Sequence, residues 1–189
     1  MRTTFLLLVA AAHICLAGDM FTIVQGSSAN LVKFISNAPL EQVIGHTSMA
    51  TGYVTLPDGA QAGQGEVHVD LSSLDTGLSL RNKHMRENHL ETDKYPEAVF
   101  QLTTLTVPAG QLKDGERTAV QVTGTLSLHG QSKLISPVTW MTRQADELTI
   151  ESDFTITLSE FNITRPEFLV LKLSDEQQIS VKLVGRKSS

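Results

Sequence analysis

Apolar and polar residues alternate along most of the chain with a period of two. Val120, Val122, Gly124, Leu126 and Leu128 fall on one face, and Gln121, Thr123, Thr125, Ser127 and His129 on the other. Successive side chains of a strand point to opposite faces, so this stretch predicts a half-buried β-strand. Val67, Val69 and Leu71 repeat the pattern against Glu66, His68 and Asp70. So do Leu148, Ile150, Phe154, Ile156 and Leu158, and again Ile179, Val181 and Leu183. Shorter cases run over 31–35, 52–56, 98–102 and 134–140. Turn signals separate these runs: Pro57-Asp58-Gly59, Pro108-Ala109-Gly110, Asp114-Gly115 and His129-Gly130-Gln131.

About eight strands result, with short connections and no βαβ rhythm. A polar face on each strand predicts antiparallel pairing, because buried parallel strands are apolar on both faces. A two-sheet sandwich and a closed barrel both satisfy the pattern. Strands of ten or more residues and a count of eight favour the barrel, whose interior then holds side chains or one small ligand. The inward face is mostly aliphatic, and aromatic residues make up only 5% of the chain. An underfilled apolar barrel either collapses or accepts an apolar guest, because close packing is the stable condition. The candidate lining is Val67, Val69, Leu71, Phe100, Leu102, Val120, Val122, Leu126, Trp140, Phe154 and Ile156.

The alternation stops between Leu80 and Lys94, where charges, amides and two histidines crowd together at helical spacing. The spacing predicts a short amphipathic helix over about 79–90. Leu78, Leu80 and Met85 are expected to turn inward, with Arg81, Lys83, Arg86 and Glu87 outward, so that the helix closes the barrel mouth.

The chain has 189 residues, enough for one domain behind a leader. Arg2 followed by an apolar run from Phe5 to Ala17 reads as a signal peptide over 1–17, cleaved near Ala17–Gly18. The domain is then 18–189. Cys15 is the only cysteine, and it leaves with the leader. The mature chain therefore has no disulfide, thiolate metal site or cysteine nucleophile, and export without disulfides fits a periplasmic protein, or more generally a secreted one. The formal net charge is −5 and becomes one unit more negative without Arg2. That acidity argues against nucleic acid as a partner and against general adhesion to anionic lipid. No second apolar run is long enough to span a bilayer, so stable membrane insertion is not expected.

Asp75-Thr76, Arg81-Asn82-Lys83-His84-Met85-Arg86 and Tyr95-Pro96-Glu97-Ala98-Val99-Phe100 together resemble the signature of the YceI-like family, S-x-x-T, R-D-x-H-L and Y-P-x-x-x-F. GTLSLHGQSKLISPVTW is similar to that family's G-x-L-T-x-x-G-x-T-x-x-V segment, and Arg165 to Phe168 to its R-x-D/E-F turn. The order is right and the motifs span nearly all of the mature chain. The resemblance implies a lipocalin-like antiparallel barrel, exported to the periplasm, that carries or stores a polyisoprenoid or similar amphiphile and catalyses nothing. Three positions in the insert depart from the pattern: Asn82 replaces Asp, Met85 replaces Leu, and Asn88-His89-Leu90 replaces an Asp-aromatic segment. Leu169 stands where a glycine is usual.

Arg81 and Arg165 match the family's recurring arginines. A guanidinium fork suits a phosphate or carbonyl head; it equally suits a salt bridge to Asp75 or Glu87 that fixes the insert to the barrel. His84 joins these two as a candidate rim contact. His84 and His89 are five apart and do not share a helix face as a metal pair would; no cofactor is expected beyond a bound isoprenoid or lipid. His89 is expected in solvent, as are His68 and His129 on the polar strand faces. Ser72 and Ser73 do not form a nucleophile elbow. The leading expectation is a barrel that holds an isoprenoid, quinone-like or fatty amphiphile for transport, storage or stress sequestration. A redox- or haem-associated protein, an enzyme acting on a lipid headgroup and a solid-core protein-interaction module are the rivals. A homodimer is compatible with the sequence.

Overall fold

A computed structural model describes residues 18–38, 41–58, 62–168 and 171–188; for Ala109 and for 167–168 and 171–172 it describes the backbone alone. The expected leader, 1–17, lies outside the described residues. The strands are β1 (Met20–Ile23), β2 (Leu31–Asn37), β3 (Gln42–Thr47), β4 (Ala50–Thr55), β5 (Gln64–Asp70), β6 (Glu97–Thr106) and β7 (Arg117–Leu128). They continue with β8 (Gln131–Ile135), β9 (Val138–Gln144), β10 (Glu147–Thr157), β11 (Glu167–Phe168), β12 (Leu171–Lys172) and β13 (Glu176–Lys187). Between β5 and β6 lies the insert, helix α1 (Ser79–His84) running into a π-turn over Met85–His89.

All the pairings between these strands are antiparallel, and eight strands close into a barrel in the order β1, β4, β5, β6, β7, β9, β10, β13, with β13 returning to β1. Closure leaves the barrel without a free edge along that ring. The remaining strands extend its members. β7 pairs β9 along 117–121 and β8 along 124–128 in one unbroken register. β8 and β9 are therefore a single strand interrupted at Ser136-Pro137, where proline has no N–H for the ladder. At the seam, β13 pairs β1 near Gly185 and β2 from Gln177 to Lys182. Buried Asn30 bridges the break: its Nδ2 donates to Val24 O at 2.9 Å, and its Oδ1 accepts from Val184 N at 3.0 Å.

The alternation on β7 is realised as read, with Val120, Val122, Gly124, Leu126 and Leu128 all buried. Two strands depart from simple alternation. On β6, Leu102 faces Gly124 and Thr104 faces Thr123, so Thr103 is an extra residue. This bulge moves the inward positions from Ala98, Phe100 and Leu102 to Leu105. On β8–β9 the expected phase is reversed. Ile135, Pro137, Thr139 and Met141 face inward, Leu134 is 69% exposed, and Trp140 lies on the outer wall. Trp140 stacks there under Arg117 of the neighbouring strand, with the guanidinium 4.4 Å from the ring centre, a cation–π contact that holds the indole outside.

One end of the barrel is packed shut by Phe21, Val54, Leu56, Leu105, Leu112 and Leu148 with their neighbours. Toward the other end a second cluster, including Leu71, Leu74, Leu128, Leu158 and Phe161, lies beneath the insert. The interior between floor and insert is not filled.

Candidate functional site

That interior is a cavity of about 830 Å³, near the top of the range for small-molecule pockets. Its walls are almost wholly aliphatic and aromatic. Of the expected lining, Val67, Val69, Leu71, Phe100 and Leu102 face it from β5, β6 and the start of the insert. Val122, Leu126, Phe154 and Ile156 face it from β7 and β10. Val120 points inward but is buried in the packed floor, and Trp140 is outside, so neither borders the cavity.

Two phenyl rings owe their position to glycine. Phe34 and Gly45 are direct cross-strand partners, and the Phe34 ring occupies the space a Gly45 Cβ would need. The Phe100 ring lies over Gly124 in the same way. Each ring lies along the wall instead of projecting across the lumen, which keeps the centre open while two aromatic residues are buried. The wall also carries polar side chains. Thr139 and Ser152 exchange a hydroxyl hydrogen bond at 2.9 Å. Ser36, 1% exposed, stands opposite Gln177 across β2–β13 without pairing: Gln177 Nε2 donates to Ser174 O at 2.7 Å, and the Ser36 hydroxyl has no hydrogen-bond partner among the described residues.

The mouth is bounded by the insert, by Ile163, Pro166 and Leu173, and by Ala38 and Glu41. Among the residues at its border are Ala38, Glu41, Thr76, Leu78, Leu80, Arg81, His84, His89, Pro166 and Leu173. The insert is held down at its start. His46 and Asp75 exchange backbone hydrogen bonds at 2.9 and 3.0 Å, and the Thr47 and Ser73 hydroxyls meet at 2.6 Å. Asn82, 7% exposed, takes the inward place on α1. Its Oδ1 accepts from Thr76 N at 2.8 Å and from Thr76 Oγ1 at 2.7 Å, and its Nδ2 donates to Asp75 Oδ1 at 2.7 Å. That last bond, reinforced by Gly77 N, holds the Asp75 carboxyl below the usual carboxylate range. With Asn82 and Met85 turned toward the barrel, Leu78 and Leu80 do not turn inward as expected; they are 57% and 68% exposed at the lip.

Arg81 borders the mouth. Its Nε donates to Thr76 Oγ1 at 2.9 Å and its Nη2 to Thr76 O at 2.7 Å, so it braces the insert through Thr76 and not through the expected Asp75 or Glu87. Arg165 does not border the cavity. Its Nε and Nη2 both donate to Leu173 O, at 3.2 and 2.9 Å, and this fork ties together the two ends of the segment beside the mouth. His84 is exposed at the rim. His89, expected in solvent, is half-buried, and its Nδ1 donates to Thr164 O at 2.8 Å, joining the π-turn to that same segment.

His129 departs furthest from expectation. The strand ends at Leu128, and His129 opens a tight turn at φ 50°, so alternation no longer sets its direction. It is 9% exposed, with Nδ1 on Phe161 O at 3.1 Å and Nε2 on Glu91 Oε2 at 2.9 Å. It thereby fastens the far end of the insert to the barrel. His68 is on the outer wall, between Glu97 at 2.9 Å and Glu66 at 2.6 Å. Among the described residues, no three His, Cys, Asp or Glu side chains converge as a metal site.

A family model for the YceI-like domain matches residues 23–185. A polyisoprenoid binding domain from Saccharophagus degradans implicated in plant cell wall breakdown superposes with a TM-score of 0.73 at 20% identity, covering 89% of this chain and 98% of that one. BcnA of Burkholderia cenocepacia gives 0.69 at 22% identity, with 82% and 95% covered. The YCEI protein of Campylobacter jejuni gives 0.61 at 19%, with 79% and 87% covered. Identities this low establish the shared fold. No curated protein matches the chain.

Proposed function

The chain belongs to the YceI-like family, and from that premise we propose that it is an exported carrier holding one long amphiphile, with an isoprenoid, quinone-like or fatty tail, inside the barrel. The observation that carries this reading is the cavity of about 830 Å³ with aliphatic and aromatic walls, closed at one end by a packed floor. A tail entering it gains about 0.8 kcal/mol for each CH₂ removed from water, before ordering costs. Two or three polar groups at the mouth then suffice to orient the head. Arg81 and His84 are those groups; Arg165 acts one step back, bonding to Leu173 O beside the mouth. The polyisoprenoid binding named for the Saccharophagus domain supports the choice of an isoprenoid-like tail.

No step of chemistry is assigned to the site: the role is sequestration and delivery, in the periplasm or outside the cell. Native purification followed by solvent extraction and mass spectrometry tests the reading. A stoichiometric long-chain lipid is the expected result. Protein that emerges empty, and stays empty after incubation with prenols, quinones and fatty acids, overturns it.

A further inference from the structure

The insert presents apolar surface to solvent at the mouth of the cavity. Leu78 and Leu80 are 57% and 68% exposed and both border the mouth. Over 78–86 the chain carries Arg81, Lys83 and Arg86 and no carboxylate, on a protein whose formal net charge is −5; Arg86 does not border the mouth, being bonded to Ser72 O and Asn82 O, and Glu41 does border it. A single exposed leucine is ordinary on a soluble surface. Two at the lip of an apolar cavity, beside Arg81 and Lys83, form an amphipathic edge. We propose that this lip is a docking foot for a phospholipid surface: Leu78 and Leu80 enter the acyl boundary, Lys83 and Arg81 lie among the headgroup phosphates, and the mouth opens onto the bilayer. The proposal rests on the carrier reading given above.

Charge and geometry act together here. A shallow apolar edge with a few basic residues gives interfacial binding that is reversible, as repeated loading and release require. Basic side chains can extend their stems along the leucines while their heads stay with phosphate. The acidic remainder of the surface is repelled by anionic headgroups, so approach through the lip is favoured over every other orientation. A tail then passes from acyl chains into the lumen without exposing its length to water, the step that would otherwise oppose transfer. A second copy or a protein partner would cover the same leucines, but neither calls for Arg81 and Lys83 beside them at the cavity entrance.

The test is co-sedimentation of the mature protein with sucrose-loaded vesicles of phosphatidylethanolamine and phosphatidylglycerol, with phosphatidylcholine vesicles for comparison. Binding to the anionic vesicles that weakens as salt is added is the expected result. Leu78→Ser/Leu80→Ser should bind about tenfold more weakly or worse, and Lys83→Glu several-fold more weakly. Lys113→Glu, between β6 and β7 at the floor end, should bind as the unsubstituted protein does. Circular dichroism establishes that each variant is folded. Absence of vesicle binding, or binding that the lip substitutions leave unchanged, overturns the proposal; so does a dimer in sedimentation that Leu80→Ser dissolves while vesicles are ignored. Lipid extracted from protein that ignores vesicles strikes the docking alone. Protein that binds vesicles yet never yields or takes up a lipid strikes the carrier reading and leaves the docking standing.

Discussion

Asn82 and Asp75 are joined by a 2.7 Å hydrogen bond in which the amide donates to the carboxylate, while the amide oxygen of Asn82 accepts twice from Thr76. One buried side chain thus holds the start of the insert against the barrel. Asn82→Leu leaves the Thr76 donors without their acceptor and should cost about 1–3 kcal/mol in chemical denaturation. Asn82→Asp keeps an acceptor for Thr76 but sets a second carboxylate where the amide donated to Asp75, so its penalty should depend on pH. Asp75 has its folded pKa depressed by that donor. Its contribution is therefore present above the unfolded carboxyl value of 3.8 and is lost as pH falls through the folded value. In Asn82→Asp two carboxylates face each other at neutral pH, and the deficit should close on acidification as one of them takes a proton. A deficit unchanged between neutral and acid pH would exclude this account.

Asn30 performs a comparable task at the seam, where β13 changes partner from β2 to β1. Its side chain accepts from Val184 N and donates to Val24 O. Asn30→Ala should lower stability by about 1–3 kcal/mol, because buried backbone groups lose their partners. Amide exchange at Val184 should quicken with it. Exchange at Val184 as slow as in the unsubstituted protein would show that the seam closes by other means.

The strands are legible because burial on one face imposes a period of two: every alternating run falls on strand, although 31–35 is β2, which extends the ring, and the ring strand β1 (Met20–Ile23) is not among those runs. Misreadings arise where the period is broken by something the pattern does not carry. Pro137 splits one strand into β8 and β9, and the large residues Leu134 and Trp140 suggested an inward face that the Arg117–Trp140 stack turns outward. His129 sits one residue past its strand, in a turn. The insert lies where the spacing places it, and Met85 packs inward as expected, but helical spacing alone also assigns Leu78 and Leu80 inward, where they are exposed. Only the contacts of Asn82 with Thr76 and Asp75 show that an amide holds the inward position. The two phenyl–glycine pairs were beyond reach, because strand pairing is not written in any one strand.

His68, between two glutamates on the outer wall, gives stability a second dependence on pH. Hydrogen bonds to Glu97 first and Glu66 second raise its pKa above the ordinary 6.5, against partial burial. A raised folded value means that the contribution is fully present below the unfolded value and is lost as pH rises through the folded one. His68→Gln should therefore fall furthest behind the unsubstituted protein in Tm under mildly acidic conditions, below about pH 6.5, and draw level in alkali. A gap of the same size at every pH would count against the paired imidazolium.

The phenyl–glycine pairs separate stability from capacity. At Gly45, every nearest neighbour of an added Cβ is an atom of the Phe34 ring, which can swing aside. At Gly124, an added Cβ meets the Phe100 ring and also the carbonyl oxygen of Gln101, which belongs to the neighbouring strand and cannot yield without moving the wall. Gly45→Ala should therefore fold close to normally while pushing the Phe34 ring into the lumen. Gly124→Ala should cost about 1–3 kcal/mol, as overpacking does. Because the displaced ring occupies space a tail would fill, Gly45→Ala should retain shorter chains, or fewer, in extracted lipid, and Gly45→Ala/Phe34→Ala should restore the long ones. Unchanged chain lengths in Gly45→Ala would mean that the ring moves elsewhere or that the tail does not run past it.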